Sequence, residues 1–156
     1  MLLGFVSRPT KDIDVVALVE EKRYVSADPL PAALLNAARD VGSTLGLGEN
    51  WLNAGPTDLL THGLPEGFES RTQIRTYGGL VLHLAGRFDQ ICFKLYASVD
   101  RGPDSKHFAD LQKLKPSEQE LITAARWARS HDVSEPFHQA MLEALASLGV
   151  DGHDRT

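Results

Sequence analysis

Asp12-Ile13-Asp14-Val15-Val16-Ala17-Leu18-Val19 is the stretch on which the fold turns. Its β-branched run, following two carboxylates, predicts a strand covered on both faces with its polar end at the rim of a sheet. Side chains two apart on a strand leave from the same face. Asp12 and Asp14 would then stand ~7 Å apart between Cα atoms and could converge on one cation. Magnesium takes hard oxygen ligands and keeps room for water and phosphates, so it suits such a pair. Asp-x-Asp also occurs as a loop start, a cap or a solvated strand end.

Outward from this strand, Glu20-Glu21-Lys22-Arg23 returns the chain to solvent. Asp28-Pro29-Leu30-Pro31 then opens a helix, since proline is tolerated near a first turn. Ala33, Leu34, Ala37, Ala38, Val41 and Leu45 recur at helical spacing up to Gly46 and Gly48, which suit its end. Residues 49–70 read as irregular, with one short helix at 56–60. Two strands, 72–77 and 80–84, flank Gly78-Gly79 and predict an antiparallel hairpin, with Gln73 and Arg75 against Ile74 implying one solvated face. The remainder reads as helices over 87–99, 106–114, 118–130 and 135–148. Ser117 and Glu120 match a capping box, and Ser134 is placed to cap the last helix. The apolar stripes Leu121/Ala124/Ala125/Ala128 and Phe137/Met141/Leu142/Leu145/Leu148 face a core.

The pattern is a mixed α/β (α+β) fold: a small mixed or antiparallel sheet with flanking helices, then a helical C-terminal part. Its expected division is an α/β core over 1–100, helices packed on it over 101–150, and a flexible tail over 151–156. With 156 residues, 42% hydrophobic and 24% charged, the chain has the make-up of an ordinary globular protein. No apolar run approaches the ~20 residues that span a bilayer, and Leu2-Leu3-Gly4-Phe5-Val6 is too short for a signal peptide, so a cytoplasmic protein without a membrane partner is expected. Cys92, the single cysteine, rules out an internal disulfide and a thiolate-based structural zinc site. The net charge of −5 argues against a protein that coats nucleic acid generally. Residues 71–115, however, hold 8 basic and 4 acidic side chains, a local cationic balance that suits a phosphate-bearing ligand or scattered solvated charges.

The string Arg8-Pro9-Thr10-Lys11-Asp12-Ile13-Asp14 resembles the Arg-x-Thr-x-Asp-hydrophobic-Asp signature of the DNA polymerase β-like nucleotidyltransferase superfamily, in particular the AbiEii and MenT-type toxins and their relatives. Phe93-Lys94-Leu95-Tyr96-Ala97, Asp100-Arg101 and Lys106-His107-Phe108-Ala109-Asp110-Leu111 are similar to the family's downstream pattern of a helix lysine, an Arg-containing turn and an aspartate opening the next helix. The resemblance implies a nucleotidyltransferase-like fold and transfer of a nucleoside monophosphate from a nucleoside triphosphate to a hydroxyl of transfer RNA or of protein. It also implies a toxin with a cognate antitoxin as partner. By the same resemblance Asp12 and Asp14 would hold one or two Mg²⁺ ions, Lys94 would contact the triphosphate and Asp110 would complete the catalytic set. Arg8, Thr10, Lys11 and Arg101 would join Lys94 around the phosphates, with charge balance for the two aspartates as the other role open to Arg8 and Lys11. A bare reading of the residues leaves Lys94 as a snorkelling helix side chain and Asp110 as solvated.

Two departures frame the alternative. The family's Gly-Gly or Gly-Ser element stands about ten residues before the Asp-x-Asp strand, and Met1 lies too close to Asp12 to include it. Neither expected hairpin strand carries the third carboxylate found in many members. The alternative expectation is a catalytically inactive relative serving as a nucleotide-binding or partner-binding module.

Overall fold

The computed structural model describes residues 12–150. They form a mixed α/β fold of six α-helices, one 3-10 helix and three two-stranded sheets, one parallel and two antiparallel, ending in a helical C-terminal part. The chain divides into two compact units, residues 12–64 and 65–150.

In the first unit, β1 (Ile13–Asp14) runs parallel to β4 (Leu52–Asn53), and β2 (Ala17–Glu20) pairs antiparallel with β3 (Arg23–Ser26). The expected single strand over 12–19 is therefore two short ones, and it is not covered on both faces. Asp12, Ile13, Asp14 and Val19 are exposed, and Val15 to Leu18 are half-buried. A tight turn follows the second of the two strands. Glu21 and Lys22 both take left-handed backbone conformations, with φ of 48° and 64°, and fold β2 back onto β3. Such turns favour Gly or Asn, so Glu-Lys gave the sequence no hairpin signal.

Helix α1 (Ala32–Leu45) starts after Pro31 and ends at Gly46, whose φ of 65° is the left-handed closing geometry expected of a glycine there. Its apolar stripe is only partly used: Ala38 is buried, while Val41 and Leu45 are exposed. Trp51 clasps the helix by donating from Nε1 to the Ala38 carbonyl at 2.9 Å, its indole lying against Gly42. A Cβ at Gly42 would stand 2.9 Å from that nitrogen, so glycine is the residue that admits the ring. The expected short helix is the 3-10 helix Gly55–Leu60. Thr57 Oγ1 accepts from the Ala27 N–H at 2.8 Å and ties this helix to the end of β3.

In the second unit, α2 (Phe68–Arg71) leads into the hairpin β5 (Gln73–Tyr77) and β6 (Leu80–Leu84), turning at Gly78-Gly79 as the sequence predicts. One expectation fails here: all of β5 is exposed, Ile74 included at 61%, so the strand has no covered face. Four helices follow, α3 (Arg87–Arg101), α4 (Lys106–Lys113), α5 (Glu118–His131) and α6 (Glu135–Ser147), close to the expected ranges. Helix α3 packs against α4, α5 and α6. Within this unit α3 supplies Ile91, Cys92, Leu95 and Val99 to the core that Leu111, Leu121, Ala124, Ala128, Phe137 and Met141 complete.

The capping box is present in full. The Ser117 hydroxyl accepts from the Glu120 N–H, and Glu120 Oε2 accepts from the Ser117 N–H at 2.8 Å. Ser105 and Ser134 cap α4 and α6 in the same manner with their hydroxyls. No helix among the described residues is long and apolar enough to cross a membrane.

Candidate functional site

The candidate residues fall into two groups, one in each unit. In the first unit, Asp12 immediately precedes β1 and Asp14 closes it, both exposed. The parallel ladder fixes this strand: the Ile13 N–H donates to the Trp51 carbonyl and the Val15 N–H to the Asn53 carbonyl. It also delivers a side chain that the sequence reading missed. Asn53 Nδ2 donates to Asp14 Oδ1 at 2.9 Å, while its own Oδ1 accepts from the Gly55 N–H at 2.9 Å. The amide is thus oriented from both ends and aims one hydrogen bond at the Asp14 carboxylate. No local pattern signals this contact, because it depends on pairing β1 with a strand 39 residues away.

Two exposed carboxylates spaced by two residues are a donor set that magnesium accepts, since the ion usually takes one or two carboxylates and fills its octahedron with water and phosphate oxygens. No group of three or more His, Cys, Asp or Glu side chains able to hold a metal gathers among the described residues. Arg8, Thr10 and Lys11, expected beside this pair, lie outside the described residues, as does the expected tail.

In the second unit, Lys94 on α3 and Asp110 on α4 meet: Lys94 Nζ lies 3.7 Å from Asp110 Oδ2. The expectation of a solvated Asp110 fails, since its side chain is only 5% exposed. Lys113, one turn further along α4, brings its Nζ to 3.8 Å from Asp110 Oδ1. Its i,i+3 spacing from Asp110 was the available signal for this second cation. Arg101 ends α3 and pairs with its neighbour Asp100 at 3.1 Å, both well exposed.

A further ion pair, also unread in the sequence, anchors the start of α3. Asp89 is fully buried and receives Arg71 through Nε and Nη2, the shortest contact being 2.6 Å. The hydrogen bond to Asp89 raises the Arg71 guanidinium above its ordinary value, against the opposing effect of burial. The guanidinium also lies over the Phe88 ring, 5.1 Å from its centre. Gly86 allows the pair to close, since a Cβ there would meet the Arg71 carbonyl at 2.8 Å and Asp89 Oδ2 at 3.1 Å. Cys92 sits one turn along; burial first, and the Asp89 charge second, push its thiol up to about 12. That thiol is a packing group without nucleophilic character at neutral pH.

No protein-family model, curated protein or solved structure matches the chain.

Proposed function

We propose that this chain is a magnesium-dependent, nucleotidyltransferase-like protein. It would transfer a nucleoside monophosphate from a nucleoside triphosphate to a hydroxyl of RNA, transfer RNA above all, or of a protein, as the toxin of a toxin–antitoxin pair in the cytoplasm. One observation carries the reading: two exposed carboxylates, Asp12 and Asp14, frame a short parallel strand, and Asn53 donates a hydrogen bond to the second of them. A carboxylate oriented in advance costs little reorganisation when charge moves, which is the property a phosphoryl-transfer site needs. When bound, magnesium would neutralise charge building on the leaving pyrophosphate.

The chain's own residues account for the remaining roles. Asp12 and Asp14 would hold the ion, with Asn53 keeping Asp14 turned toward it. Lys94, a mobile point charge, would contact the phosphates, and Asp110 would set its position. Incubation with labelled nucleoside triphosphates, Mg²⁺ and cellular RNA or protein tests the proposal. Label transfer by the wild type, lost in the double variant Asp12→Ala plus Asp14→Ala, is the expected result; equal labelling by both overturns it. One observation favours a second reading, an inactive relative that binds nucleotide or a partner: Lys94 and Asp110 pair with each other at 3.7 Å, an arrangement that needs no ligand. Calorimetry giving no heat with any triphosphate, alongside binding of a partner protein, would select that reading.

A further inference from the structure

The carboxylate of Asp110 is 5% exposed and each of its oxygens faces a different lysine, Oδ2 toward Lys94 at 3.7 Å and Oδ1 toward Lys113 at 3.8 Å. Burying a lone carboxylate is expensive, and one lysine would suffice to balance it. Two lysines leave the cluster with one positive charge in excess. Neither distance is short enough for a tight hydrogen bond, and an ammonium carries three donors, so each lysine retains donors for another acceptor. The side chains of Lys94 and Lys113 are 26% and 45% exposed, so solvent reaches both, while the acid that organises them stays inside.

We infer that Lys94, Asp110 and Lys113 form an anion-binding clamp for a polyphosphate, with Lys113 as its second phosphate-contacting residue and Asp110 as the positioning residue for both lysines. The inference deepens the proposed function and rests on it for the identity of the natural ligand, a nucleoside triphosphate or the pyrophosphate released from it. The clamp is built on two helices that share the core, α3 through Leu95 and α4 through Leu111, both fully buried, so its spacing is fixed by packing. Lys113 lies in the last turn of α4, where any cation offsets the partial negative charge of the helix end. That contribution appears in stability and is insensitive to phosphate, which separates it from the role assigned here.

The test is calorimetric titration of the full chain with inorganic tripolyphosphate, in the wild type, Lys113→Met, Lys113→Arg and, as a control for net charge, Lys22→Met on the β2–β3 turn. Loss of one charge-assisted contact corresponds to about tenfold weaker binding. The expected pattern is that loss in Lys113→Met, most of the affinity regained in Lys113→Arg, and wild-type affinity in Lys22→Met. Lys113→Gln, compared with the wild type by far-ultraviolet circular dichroism, replaces Lys113→Met should the latter fold poorly. No heat from the wild type, or equal affinity in wild type and Lys113→Met, overturns the inference. Failure here is distinguishable from failure of the proposed function. Lys113-dependent tripolyphosphate binding without nucleotide transfer supports the clamp and removes the enzyme, whereas transfer that needs Asp12 and Asp14 with Lys113-independent binding removes the clamp alone.

Discussion

Residues 65–150 and residues 12–64 reach order by different means. The first bury Ile91, Cys92, Leu95, Leu111, Leu121 and Met141 almost completely on four helices that pack on one another. Between 12 and 64, the buried apolar residues are Ala27, Leu30, Ala38 and Leu59, and the joints are single polar contacts: Trp51 to Ala38, Thr57 to Ala27, Asn53 to Asp14. Apolar burial contributes roughly 25 cal/mol per Å² without regard to direction, whereas one hydrogen bond contributes about 1 kcal/mol net and only at one geometry. The helical part is thus stabilised by area and the N-terminal part by orientation. Chemistry at an exposed carboxylate pair calls for orientation, which is where the candidate metal ligands lie.

The sharpest way to break this contrast is to ask whether the helical core opens. With its thiol pushed up to about 12, Cys92 in the folded state should be ionised at pH 8 in only about one molecule in ten thousand, against about a quarter for a free cysteine. Alkylation or disulfide exchange in native buffer is expected to run about a thousandfold slower than in urea, where the thiol is released. Labelling at comparable rates in both conditions would mean that the helical core opens readily. Next in size is the pair Leu95→Ala and Leu35→Ala. Leu95 is fully buried and its truncation should cost about 3 kcal/mol, within the range found for emptied core sites. Leu35, 40% exposed on α1, should cost less than about 1 kcal/mol. Urea midpoints would measure both, and equal losses would show that α1 depends on a core as dense as that of α3.

What the sequence disclosed divides along the same line. The helices of the second unit were readable because their signals are local: Ser117 and Glu120 stand three apart and satisfy each other, and apolar residues recur on one face for several turns. The run from Asp12 to Val19 was ambiguous because a β-branched stretch has the same composition whether it makes one buried strand or two short exposed ones. The partners that separate them are β4, 39 residues along, and β3, reached through a Glu21-Lys22 turn that lacks the usual residues. Among site residues, Lys94 and Asp110 were grouped by motif and lie 3.7 Å apart. Asn53, Lys113 and the Arg71–Asp89 pair escaped, the first and last because partners 39 and 18 residues away meet only after the chain has folded. Lys113 carried an i,i+3 signal that acquires meaning only once Asp110 is known to be buried.

The smallest effect concerns the joint that most resembles the polar style of the N-terminal unit while belonging to the helical one. Burial alone would push the Glu120 carboxyl up, but hydrogen bonds from Arg87 and from the Ser117 backbone and hydroxyl outweigh it and hold the group below its ordinary value. Arg87 in turn donates to the Leu114 and Lys115 carbonyls, joining the start of α3 to the end of α4 and the cap of α5. Because the folded value is depressed, this network stabilises the protein above the unfolded carboxyl value of about 4.3 and ceases to do so as pH falls through the folded one. Glu120→Gln is therefore expected to lower stability by about 1 kcal/mol at pH 7, a modest figure because both partners are partly solvated. The gap from wild type should begin to close as pH falls through the unfolded carboxyl value of about 4.3 and be gone below the depressed folded one, read from urea midpoints at each pH. A gap that stays constant down to pH 3 would mean that Glu120 acts through its shape and its neutral hydrogen bonds, leaving the Arg87 junction without an electrostatic part.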